Sequence, residues 1–211
     1  LERQVIYREG LNVGYRYFDS IDLPVLFPFG HGLSYSHFEY SDAQLSESIL
    51  TADLNDEKLI TLSVALHNTS AVAGAECVQV YRHAMNSAIY RPKQELCGFA
   101  KVFLKPNERR TVQIILSTAD FTYFDQGNNA LNIESGDYEL RIGASSRDIR
   151  QTLKLQLQNS EEINEPSAQA QACRGPSIQK SGDRGLIEIS DTTFASMLGS
   201  NLPAAENSQP F

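Results

Sequence analysis

The chain has 211 residues, a formal net charge of −8 and 41% hydrophobic residues, the composition of an ordinary globular protein with room for one domain and appendages. No apolar run is long enough to cross a bilayer, and Lys and Arg are scattered along the chain. A membrane span and a nucleic-acid partner are both disfavoured, because the first needs such a run and the second needs clustered cations to neutralise phosphate.

Residues 1–33 read as the end of something larger. Leu1-Glu2-Arg3-Gln4 leads into no apolar h-region, so no signal peptide is read there, and localisation is not legible. Tyr15, Tyr17 and Phe18 supply apolar bulk without completing an amphipathic element, and Leu23-Pro24-Val25-Leu26 reads as extended. About 30 residues cannot bury a core alone. Phe27-Pro28-Phe29-Gly30-His31-Gly32 has the grammar of a hinge. Two large rings flank a proline that keeps the backbone extended, and Gly30 and Gly32 permit a sharp change of direction.

From Tyr35 the pattern turns to strands. Residues 36–45 give the first, with Phe38 and Tyr40 alternating. Residues 46–57 are polar and acidic, and read as a loop. Residues 59–67 alternate cleanly, with Ile60, Leu62, Val64 and Leu66 on one face. Asn68-Thr69-Ser70 turns the chain and is a formal glycosylation sequon that its turn position makes accessible, although three-residue matches of this kind are common by chance. Further strands are expected at 76–81, 95–104 and 110–116, with a loop at 83–93 and a turn at Lys105-Pro106-Asn107-Glu108. A helical turn capped by Ser117 or Thr118 comes next, then residues 123–125 and 131–133 about a Gly-Asn-Asn turn, then strands at 137–143 and 149–158. Seven or more short strands with turn signals every 8–12 residues or so predict an all-β, antiparallel sandwich over residues 34–158.

Residues 159–185 are rich in Asn, Ser, Glu, Gln, Gly and Pro and read as a linker. Residues 186–211 read as a short C-terminal extension, with a short strand expected at 186–189 and a brief helix through 192–198. The tail as a whole is expected to be mostly irregular.

Three cysteines, Cys77, Cys97 and Cys173, form no CxxC pair, and no His/Cys cluster has zinc spacing, so neither a metal nor a cofactor is expected. In a hairpin of 76–83 with 94–103, Cys77 and Cys97 would stand opposite each other, either as two thiols or as a strained cross-strand disulfide.

Several motifs in one order carry a resemblance. They are Tyr7-Arg8-Glu9-Gly10, Val13-Gly14-Tyr15-Arg16-Tyr17-Phe18-Asp19, the stretch from Phe27 to Tyr40, Asn68-Thr69-Ser70 with Ala73-Gly74-Ala75-Glu76, Arg91-Pro92 with Glu95-Leu96 and Gly98-Phe99, and Gly143-Ala144-Ser145-Ser146-Arg147-Asp148-Ile149. Spanning about residues 7–150, they resemble the family 3 glycoside hydrolases, the β-glucosidase family. The resemblance implies a fibronectin type III-like (immunoglobulin-like) sandwich, preceded by the remnant of an α/β sandwich domain whose apolar side chains lie on the β-domain or are poorly ordered. It implies partners in the catalytic barrel and α/β sandwich domains of a parent glycosidase. Two departures stand out: the family often has Trp near the position of Leu131, and its Pro-Gly-Glu turn is here Pro106-Asn107-Glu108.

Glycoside hydrolysis needs two carboxylates across the scissile bond. Glu9, Asp19 and Glu39 lie near the hinge, yet none matches the family's nucleophile or acid/base motif, so no catalytic residue is assigned and the chain alone is expected to be inactive. His31 is expected to hydrogen-bond a carbonyl across the joint. In the loop at 83–93, Tyr90 and Arg91 offer an aromatic face and a donor fork. They either approach substrate near the entrance of the parent enzyme or, with Pro92, pin an interdomain surface, and the second is preferred. The alternative from another class is a free-standing fibronectin III-type binding or adhesion module.

Overall fold

The computed structural model describes residues 9–52, 57–159 and 166–172, and beyond them 178–179, 186–187, 191–192 and 195. A short helix, α1 (Tyr15–Ser20), precedes ten strands: β1 (Phe38–Leu45), β2 (Ile49–Ala52), β3 (Leu59–Asn68), β4 (Gly74–Ala84), β5 (Glu95–Leu104), β6 (Arg109–Ser117), β7 (Thr122–Asp125), β8 (Ala130–Ile133), β9 (Gly136–Ser145) and β10 (Asp148–Asn159). They build a sandwich of a three-stranded sheet, β1-β3-β6, and a five-stranded sheet, β2-β10-β9-β4-β5, with β7 and β8 as a separate hairpin.

The alternation read in the sequence decides which side chains are enclosed. Ile60, Leu62, Val64 and Leu66 of β3 meet Val78 and Val80 of β4 and Leu140 and Ile142 of β9 in one buried cluster between the sheets. Beside it, β5 and β6, edge strands of different sheets, come unusually close. A Cβ on Gly98 would stand 2.8 Å from both Ile114 Cγ2 and Leu116 Cδ2, so only glycine leaves room for that approach.

Several expectations change. The polar stretch 46–57 contains β2, whose Leu50 and Ala52 are buried and which runs parallel to β10, the one parallel pair among the described strands. β1 carries a bulge between Ser41 and Gln44 and stays paired with β3 as far as Leu45, after which the chain crosses to the other sheet. Four residues between polar neighbours give too short a run for periodicity to register.

The cysteine pairing also fails. Cys77 stands opposite Lys101, and Cys97 sits at the bulge between Val80 and Tyr81, so both remain free thiols. Burial pushes the Cys97 thiol up to about 12, which makes it inert.

Asn68 is fully buried, not accessible. Its Nδ2 donates to the carbonyls of Val72, Lys105 and Leu104 at 2.8, 3.1 and 3.3 Å, and its Oδ1 accepts from the Ser70 N–H at 3.0 Å. The side chain ties two turns together and cannot carry a glycan in the folded state. The Pro106-Asn107 turn tolerates the departure from glycine, because Asn107 takes φ 56°.

Within the segment read as a linker, residues 166–172 fold against the sandwich. Ser167 donates from N–H to Asp125 Oδ2 at 2.9 Å and from Oγ to Oδ1, and a single helical turn, α2 (Ala168–Ala172), follows. Leu186–Ile187 is a strand as expected, paired with Ile178–Gln179. The motif Tyr7-Arg8 and most of the helix expected at 192–198 lie outside the described residues.

Candidate functional site: a polar interface on the outer face of the five-stranded sheet

Along β4, Val78 and Val80 point into the core, so Gln79 and Tyr81 point outward. An outward Tyr on a sandwich normally meets water, yet Tyr81 is wholly buried, and burial pushes its phenol well above the usual range. Its cover is the segment before the sandwich. The Tyr15 ring of α1 stacks on Phe29 at 4.4 Å and meets Tyr81 edge-on at 6.1 Å, while Tyr15 Oη accepts from the Leu96 N–H at 2.8 Å. Residues 15–20, read as too incomplete for an element, form a helix because the sheet supplies the face they pack on.

The stretch 27–32 is held by its backbone. Gln79 Nε2 donates to the carbonyls of Gly30 and Ala144 at 3.0 and 2.8 Å, and Tyr81 Oη donates to Gln79 Oε1 at 2.5 Å. Ser146 N–H donates to the Phe29 carbonyl at 2.9 Å. Gly30 takes φ +78°, and a Cβ there would fall 1.9 Å from Gln79 Oε1, so this glycine is required. Gly32 has open space and no positive φ, so it is not needed for the turn. The His31 ring stacks on Phe27 at 5.2 Å, and the carbonyl contacts expected of it come instead from Phe29 and Gly30.

Beyond this stretch the interface becomes charged. Asp19 of α1 is buried, accepting from Arg147 Nε at 2.7 Å and Gln94 Nε2 at 3.3 Å; Arg147 Nη2 also reaches the carbonyls of Leu23 and Phe18 at 2.7 and 3.1 Å. Glu95 takes Arg82 at 3.0 Å and Arg16 at 3.4 Å. Ser20 Oγ accepts from the Lys93 N–H at 2.9 Å, and Lys93 Nζ pairs with Asp22. The loop containing Tyr90 and Arg91 thus grips α1 from the side. Tyr90 Oη donates to Asn12 Oδ1, and burial raises its phenol above the usual range. Arg91 turns inward, its guanidinium 5.2 Å from the Tyr123 ring centre and its Nε 3.6 Å from Glu134.

Of the three carboxylates near the hinge, Asp19 is committed to Arg147, and Glu39 on β1 faces His67 at 3.8 Å. Glu9 lines a cavity of about 500 Å³ bounded by residues 9–12, the 89–91 loop, β7 and Ala170. Sequence reasoning did not find the Asp19–Arg147 pair, which joins residues 128 positions apart, nor the cavity, which gathers four distant segments.

The segment that lies on the sheet with its polar side shows apolar groups to solvent. Leu26, Leu33 and Tyr35 are 88, 92 and 97% exposed, and Leu11, Val13 and Phe27 are more than half exposed. Leu131, where the family's Trp is expected, pairs with Phe124 on the surface, so that departure does not touch the core.

The fibronectin type III-like domain family matches residues 76–146. The thermostable beta-glucosidase B of Acetivibrio thermocellus is 45% identical over 146 residues, 69% of this chain and 19% of the relative. The exo-alpha-(1->6)-L-arabinopyranosidase of Bifidobacterium breve is 41% identical over 157 residues, 74% of this chain and 20% of the relative. The crystal structure of a GH3 beta-glucosidase from Bifidobacterium adolescentis superposes with a TM-score of 0.65 at 35% identity, covering 80% of this chain and 24% of that one. The chain belongs to the family 3 glycoside hydrolases. It is the fibronectin type III-like, C-terminal part of that family, and it spans about a fifth of the length of the curated relatives it matches. In the longer family 3 relatives this domain sits with other domains of the same chain. Nothing favours the free-standing binding or adhesion module.

Proposed function

We propose that this part of the protein seats the catalytic domains of a β-glucoside-hydrolysing enzyme, with residues 1–33 as the end of an α/β sandwich domain and 34–158 as its support. The observation that carries this reading is the two-sidedness of residues 9–35. Their polar side is fixed to the sheet by Asp19, Gln79 and Arg147, while Leu26, Leu33 and Tyr35 face outward uncovered. Buried hydrogen bonds fix an orientation, and exposed apolar groups in such number mark a surface awaiting a neighbour. The occupant we assign is the catalytic barrel and α/β sandwich of the same polypeptide, because the matched relatives continue for about four-fifths of their length outside the match.

On this reading Phe27, Phe29, Gly30, His31 and Gly32 form the hinge between domains, and Tyr90 and Arg91 serve the interdomain surface and not substrate. Their support is that Tyr90 bonds Asn12 and the side chain of Arg91 is 8% exposed. The test mixes the purified chain with the matching catalytic domains made separately. Binding with restored aryl β-glucosidase activity is the expected result, with the chain alone inert. Turnover by the chain alone, or no association at micromolar concentration, would overturn it.

A further inference from the structure

The fibronectin type III-like match ends at residue 146, so it does not account for residues 166–172, yet the sandwich holds a shaped seat for them. Asp125, the last residue of β7, is fully buried, and its carboxylate is met by neutral donors. The N–H groups of Gly127 and Asn128 reach it at 3.0 and 3.3 Å, and Asn128 Nδ2 at 3.2 Å. Two more donors come from Ser167, whose N–H reaches Oδ2 at 2.9 Å and whose Oγ reaches Oδ1. The same Oγ accepts from the Ala170 N–H at 3.1 Å, so one hydroxyl both seats the segment and caps its helical turn. Gly127 fits this contact. A Cβ there would fall 2.3 Å from Ser167 Oγ and 2.4 Å from Ser167 Cβ, so a side chain at 127 would displace the serine.

The turn then places Ala170, 7% exposed, in the wall of the cavity of about 500 Å³. Other parts of that wall are Leu11 and Asn12, before α1, and Ile89 and Tyr90, from the loop that holds them. The Tyr90–Asn12 hydrogen bond joins loop and segment at this point. Taking the turn away would open the cavity on that side. Water would then reach the apolar wall and compete for the Tyr90–Asn12 bond.

We propose that residues 166–172 are a latch: seated by Ser167 on Asp125, they steady residues 9–12 against the 89–91 loop from a segment that follows the sandwich. The coupling needs no other domain and is tested on the full 211-residue chain. Two variants unseat the latch by different means. Ser167→Glu sets a second carboxylate against the buried Asp125, and Gly127→Ala fills space that Ser167 occupies. The probes are the amides of Asn12, bonded to the Glu9 carbonyl, and Ile89, bonded to Ser87 Oγ. In both variants their hydrogen exchange should quicken at least about fivefold, together with that of Ala170 and Gln171, while β3 and β9 keep their rates. Acceleration confined to residues 166–172 would overturn the proposal, since the segment would then be a passive passenger. Unchanged exchange at Ala170 and Gln171, equal acceleration in β3 and β9, or an effect at Asn12 and Ile89 in only one variant would overturn it as well. None of these outcomes bears on whether the chain associates with catalytic domains.

Discussion

Between the two sheets the buried groups are mostly Leu, Ile and Val with a few aromatic rings; on the outer face of the five-stranded sheet they include the polar Gln79, Gln94, Glu95 and Asp19 beside Tyr81. The first interior is supplied by the strands alone and is held by burial, which does not depend on direction. The second exists only because residues 9–30 lie across it, and it is held by hydrogen bonds and ion pairs that are satisfied in one arrangement. The apolar interior makes the sandwich stable. The polar one adds orientation, because each unsatisfied partner is costly and a shifted α1 would leave several.

The largest effect is expected in the apolar interior. Leu140→Ala removes a fully buried side chain and should cost about 2–5 kcal/mol in urea denaturation, lowering every strand together. Asp19→Ala should cost less, about 1–3 kcal/mol, because Arg147 is partly exposed and water can replace one partner. Its signature is local: amide exchange should quicken over residues 15–23 while β3 and β9 keep their protection. Equal loss of protection in both regions would mean that the two interiors unfold as one.

The apolar interior was the legible one. The faces of β3 and β6 follow from period-two alternation, and the structure places them as that pattern predicts. The polar interface was not legible, because its pairs join distant residues of types that are usually solvated: Asp19 with Arg147, Gln79 with Gly30, Tyr90 with Asn12. The hinge motif carried the resemblance to family 3, but which glycine turns the chain depends on Gln79, contributed by a strand 49 residues later. Asn68 misled for the same reason, since a turn residue reads as exposed until the carbonyls that enclose it are known.

Two smaller effects sharpen the boundary of the polar region. Ser167→Ala removes the Oγ donor to Asp125, whose carboxylate keeps its bonds from Gly127 and Asn128, and should cost about 1 kcal/mol. Protease cleavage near residues 166–172 should quicken with the sandwich intact. His83, half-buried on the outer side of β4, has its pKa lowered by burial and by Arg141. Folding therefore favours the neutral imidazole. Its contribution is fully present above the unfolded value near 6.5 and is lost as pH falls below it. Urea titrations at pH 7.5 and 5.5 should show the decline, and His83→Gln should flatten it. An unchanged slope would remove His83 from the interface's account.

The smallest effect on stability is expected at the most exposed apolar residues. Leu33→Ser and Tyr35→Ser alter side chains 92 and 97% exposed, so each should change the stability of the chain by no more than about 0.5 kcal/mol. If these residues are the seat of the neighbouring domains, the same changes should weaken association with separately made catalytic domains about tenfold or more, as loss of a central apolar anchor does. A silent effect on folding with a large effect on docking would separate what the sandwich needs for itself from what it offers to the rest of the enzyme. If docking is equally untouched, the outward side of the hinge is not the contact. The contact would then fall to the exposed Phe99 and Phe103 of β5, which stand opposite Gln79 and Ala75 on the same outer face.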